Sequence, residues 1–144
     1  MTDHDPRLFN NDCEIRSIGE GLLSRALPRD FWTHEAHLAA CVWIVRDRPD
    51  ITPEQDMRDI ISSYNEAVGG VNDDSQGYHE TITQIFIAAA RAHLSELPLS
   101  VTLCEAVNTL LVSPRGRRDW PLRTYSREHL FSVAARRAFV MPDI

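Results

Sequence analysis

The chain of 144 residues contains no lysine, and all 15 of its basic residues are arginines. That absence excludes Schiff-base chemistry on a lysine amine, the lysine of a phosphate-binding loop and the kinase-type lysine. Cysteine is sparse as well. Cys13, Cys41 and Cys104 lie far apart and form no C-x-x-C pair, so neither a dithiol redox motif nor a cysteine zinc site is indicated. No apolar run approaches the roughly 20 residues of a membrane span. The opening MTDHDPRLFN is too acidic and polar for a secretory signal, and the expected location is the cytoplasm. No glycine-rich turn joins a strand to a helix, which removes the nucleotide cradles. The loop GGVNDDSQG (residues 69–77) is acidic but lacks the alternating ligands and closing glutamate of a calcium loop. With a net charge of −6, nucleic acid is not an expected partner.

What is present is helical spacing, in a chain long enough for one domain with a core of its own. Ile15, Ile18, Leu22 and Leu23 predict a first helix over residues 14–27, stopped by Pro28. A second is predicted over 30–46, with Asp30 as N-cap and Phe31, Leu38, Cys41, Val42 and Val45 as its stripe. T-P-E-Q (52–55) is a start signal, with Thr52 as cap, Pro53 at the first helical position and Gln55 completing a capping box. That third helix ends at Gly69-Gly70. A fourth is expected over 78–94, a fifth over 101–112, and a short one over 126–139. The expected fold is all-α, an antiparallel bundle of five to six helices in a single domain. Its C-terminal segment is irregular and arginine-rich. Residues 1–112 carry 8 arginines against 18 acids, whereas residues 113–144 carry 7 against 3. An arginine-rich tail docked on an acidic body follows from that contrast.

Two stretches draw attention, FWTHEAHL (31–38) and YHETITQIF (78–86). At about 100° per residue, His34 and His37 share the apolar side of the second helix with Cys41. His79 takes the inward side of the fourth with Ile82, Thr83 and Phe86, while Glu80 is rotated away. If helices alternate up and down, the second and fourth run parallel, and His34, His37 and His79 meet at one level near one end. Three imidazoles with a carboxylate suit Zn, Fe, Ni or Cu, and three protein ligands leave an open position for chemistry. The expected metal set is His34, His37, His79 and Glu80. Tyr78 and Thr83 are candidates to orient a ligand; Cys41 is read as a small buried hydrophobe.

The same residues carry a resemblance. Phe31, His34, His37 and Leu38 as F-x-x-H-x-x-HL, then YHETIT (78–83), then YSREHLFS (125–132) with Ala135-Arg136 and a closing V-M-P-D resemble a small bacterial helical family that has no assigned activity. The likeness covers residues 28–143. It implies that His34, His37, His79 and Glu80, together with Tyr125, Ser126 and Arg136, match motif positions. The C-terminal segment, with Tyr125, His129 and Arg136, is expected to close the histidine end, where an arginine would suit a small anionic substrate. Two alternatives stay open beside a metal-dependent enzyme: metal-free binding of a small molecule, and a helical interaction module. Oligomeric state is not legible.

Overall fold

The computed structural model describes residues 5–144, so the first four residues of MTDHDPRLFN lie outside it. The described residues form seven α-helices and no strand: α1 (Asp12–Ser24), α2 (His34–Asp47), α3 (Pro53–Ala67), α4 (Glu80–Ser95), α5 (Leu103–Val112), α6 (Arg127–Leu130) and α7 (Val133–Arg137). The fold is the expected all-α bundle with an irregular C-terminal segment. No helix among the described residues is long and apolar enough to cross a membrane.

Most helix boundaries are set by side chains that catch an otherwise orphaned N–H. Asn11 accepts from the Glu14 amide, and Glu14 reaches back to the Asn10 amide. α1 stops before Pro28 because Arg25 turns left-handed at φ 62°. The second helix differs from expectation. Residues Arg29–Phe31 form only a 3-10 turn, and the cap is Thr33, whose hydroxyl accepts from the Ala36 amide at 3.1 Å. Thr33 is extended where Asp30 is not, so the helix proper begins at His34. Trp32, just before the cap, folds back on His37 five residues on, in the positions of a hydrophobic staple. α3 also starts differently. Thr52 makes no side-chain cap; its own amide is taken by the Asp56 carboxylate at 2.8 Å, not by Gln55. The stretch expected as one helix over 126–139 is two short ones, because Ser126 and Ser132 each cap a new start.

α2 is the central helix, buried at Ala36 and continuously from Leu38 to Ile44. It packs against α1, α3, α4 and α5. α1 comes close because Gly19 has no side chain: the Trp43 indole occupies the space a Cβ would need. The start of α2 meets the second turn of α4 where His34 touches Phe86, and their ends meet where Val45 and Leu94 border one hollow. These two helices therefore run parallel, as alternation predicts. α3 runs opposite to α4, since Glu54 pairs with Arg91 and Arg58 with Glu80.

The C-terminal segment closes the end at which α2 and α4 begin. Arg118 pairs with Glu35 and Arg137 with Asp74, while Arg115 pairs with Glu96 past the far end of α4, which is the expected docking of a basic tail on an acidic body. These pairs are solvent-exposed on at least one side, so each is worth about 1 kcal/mol or less.

Candidate functional site

A recessed pocket of about 100 Å³ lies among α2, α3 and α4. Its walls are largely apolar: Leu38 from α2, Met57 and Ile61 from α3, and Ile82, Phe86 and Ile87 from α4. Four polar side chains also border it, namely His34, His37, Cys41 and Thr83. The parallel course of α2 and α4 is what brings their first turns to this one place.

His37 stands out among them. One face of its ring stacks on Trp32, with centroids 3.8 Å apart and planes at 26°. Neither ring nitrogen has a hydrogen-bond partner among the described residues. By surface area the ring is accessible, yet it sits deep among neighbouring atoms. Part of His37 therefore remains open to water although the ring is crowded by its neighbours. Desolvation, with the nearby charge of His34 second, pushes its pKa down to about 3. At neutral pH it is an uncharged imidazole with one donor and one acceptor to offer.

His34 borders the same pocket, three residues earlier on the same face. Its Nε2 is 2.8 Å from the Gly116 carbonyl, and its ring meets Phe86 edge-on at 5.4 Å. Gly116 itself packs against the end of α5, where a Cβ would collide with the Leu110 carbonyl. Cys41, one turn beyond His37, is 5 % exposed, and burial pushes its thiol up to about 12. It is a protonated, small apolar group, as the sequence indicated.

His79 has a different task. Its Nδ1 accepts from the Ile82 amide at 3.1 Å, which makes the imidazole the N-cap of α4. Its Nε2 donates to the Leu130 carbonyl at 2.8 Å. Both nitrogens are thus engaged, and the tautomer with the proton on Nε2 follows. Burial, first, and Arg136 lower its pKa, partly opposed by the bond to Leu130. Glu80 is turned toward α3: the Tyr78 hydroxyl donates to it at 2.6 Å, Gln84 at 3.2 Å, and Arg58 lies at 3.5 Å. Burial, followed by the hydrogen bond to Glu80, raises the Tyr78 pKa. Thr83 donates to the His79 carbonyl and borders the pocket, one turn from the Tyr78–Glu80 pair.

The three C-terminal candidates hold the segment in place. Tyr125 donates to the Val140 carbonyl at 2.6 Å and stacks on His129, whose Nε2 bonds the Met141 carbonyl at 2.7 Å. Ser126 binds the Asp143 carboxylate through both its amide and its hydroxyl. Arg136 donates to the carbonyls of Gly77 and Tyr78, bracing the turn that leads into α4. Thr81, wholly buried, completes the clasp by donating to the Ala138 carbonyl and accepting from the Val140 amide.

The structure therefore brings His34 and His37 to one pocket, and ties His79 and Glu80 into the helix start and the C-terminal clasp beside it. Among the described residues no group of three or more His, Cys, Asp or Glu side chains is arranged to hold a metal ion. The physical reason is the prior commitment of His79 to two hydrogen bonds and of Glu80 to three neighbours. Sequence reasoning overlooked Trp32, although its place before a capping threonine and five residues ahead of His37 is the staple spacing. It also overlooked Met57 and Ile61 as walls, for which only their helical spacing gave a signal. In comparisons with family models, curated proteins and solved structures, nothing matched this chain.

Proposed function

We propose that this chain binds a small molecule by an uncharged, mostly apolar part in the His34–His37 pocket, without a metal, with His37 as the polar contact. The observation that carries this reading is a neutral imidazole that borders a recessed apolar hollow and has no hydrogen-bond partner for either nitrogen among the described residues. A ligand hydroxyl or carbonyl beside His37 replaces water on its nitrogens, a net gain of about 0.5–1.5 kcal/mol. Apolar walls with one or two convergent polar groups are the usual make-up of a small-ligand site.

Two features favour binding over the metal-dependent enzyme. Recruiting His79 as a ligand would cost α4 its cap and the Leu130 tie. A histidine with a pKa near 3 is also a weak general base at neutral pH, far from the matched value catalysis needs. An anionic ligand inside the pocket is disfavoured because no arginine is among the pocket's lining residues.

Titration with isobutanol, followed by NMR of uniformly labelled protein, tests the reading. Saturable shifts are expected at His37, Ile82 and Phe86, and they should vanish in a folded His37→Phe variant. Shifts centred elsewhere, or unchanged binding by His37→Phe, would sink the proposal.

A further inference from the structure

Besides stacking on His37, the Trp32 indole meets Tyr64 edge-on at 5.4 Å. It also lines a groove of about 400 Å³, bordered by Arg29, Asn65, Gly70, Gln76 and Gly77. Trp32 borders the groove and His37 borders the pocket, so their stack links the linings of the two hollows. Resting on the pocket reading above, we infer that the groove is the second half of the same site and takes the carboxylate of a small acid whose apolar end occupies the pocket.

Among the described residues the Arg29 guanidinium has no hydrogen bond and no carboxylate partner, its charge being felt by Tyr64, and it is the only arginine lining the groove. A guanidinium fork matches a carboxylate with two parallel hydrogen bonds. The acidic residues of the adjoining loop are already occupied. Asp73 accepts from the amides of Ser75 and Gln76, and Asp74 is held by Arg137. Neither carboxylate is left to neutralise Arg29. Backbone is also close at hand, because Gly69 and Gly77 stand at φ 88° and 82° and Gly70 packs on the Asn65 carbonyl.

Size sets the other end of the ligand. A dry cavity of about 150 Å³ admits benzene, so the pocket of about 100 Å³ takes roughly four heavy atoms. A branched four-carbon head with a short tail past the edge of Trp32 meets both conditions. This places the anion expected from the sequence outside the pocket, on Arg29, and leaves the pocket itself uncharged.

The test uses 4-methylpentanoate and its neutral amide as probes, with wild type, Arg29→Gln and His37→Phe, read by NMR at the Trp32 and Arg29 side-chain N–H groups. In wild type the acid is expected to bind about tenfold more tightly than the amide, the scale of a hydrogen bond to a charged group. Arg29→Gln should abolish that difference and leave the amide's affinity unchanged, while His37→Phe should weaken both. Equal binding of acid and amide to wild type, or a difference that survives Arg29→Gln, overturns the groove assignment while leaving the pocket standing. If neither probe binds wild type, the pocket reading falls and the groove assignment with it.

Discussion

Replacing His79 separates a structural imidazole from a metal ligand. In His79→Ala the Ile82 amide loses its acceptor, and the loss of an N-cap costs about 1 kcal/mol. The Leu130 carbonyl loses its donor in a place where Leu130 is 1 % exposed, adding about 1–3 kcal/mol. Together the variant should be about 2–4 kcal/mol less stable than wild type. His79→Asn keeps a good capping oxygen and should forfeit only the Leu130 share. Urea unfolding at pH 7.5, followed by far-UV circular dichroism, measures both. The pH dependence has a definite sign. Because burial lowers the folded pKa below the unfolded value, the unfolded chain takes up the proton more readily. The contribution of His79 is complete above about pH 6.5 and is lost as pH falls below that. The gap between wild type and His79→Asn should therefore narrow toward pH 5. A His79→Ala protein as stable as wild type would refute the capping assignment and return His79 to the metal-ligand role.

Other perturbations reach separate parts of the account. Gly19→Ala drives a methyl into the Trp43 indole and should cost about 1–3 kcal/mol, measured by the same unfolding titration. At pH 8, alkylation followed by peptide mass mapping should modify the exposed Cys13 first and leave Cys41 intact, because burial holds the Cys41 thiol near 12. Asp143→Ala removes both bonds to Ser126, so amide exchange should quicken from residue 124 onward while α2 to α4 keep their protection.

The all-α class and the parallel course of α2 and α4 were legible, since apolar spacing and short connections determine both. The start of α2 was not. Asp30 and Thr33 are both good caps on paper, and the choice went to Thr33 because Trp32 could then staple onto His37. His79 misled for a related reason. An imidazole is not among the common N-cap side chains, so a histidine before an apolar run reads as a ligand until the Ile82 amide is seen pointing at it. Glu80 lay off the inward face, as helical phase predicted, but its partners Arg58 and Gln84 belong to tertiary structure and to the next turn. The roles of Tyr125, His129 and Arg136 were hidden because each binds a backbone carbonyl, and carbonyls carry no sequence signature. The His34–His37 pair was visible; that only His37 keeps both nitrogens without a hydrogen-bond partner among the described residues was not.

The central claim is that His37 is a neutral imidazole, with no hydrogen-bond partner among the described residues, beside a pocket that a small molecule can fill. Long-range ¹H–¹⁵N NMR of the histidine rings reads this directly. His37 is expected to show no protonation from pH 8 down to pH 5, and its ring nitrogens should move on adding isobutanol. Titration of His37 near pH 6.5, with no response to the alcohol, would contradict the account.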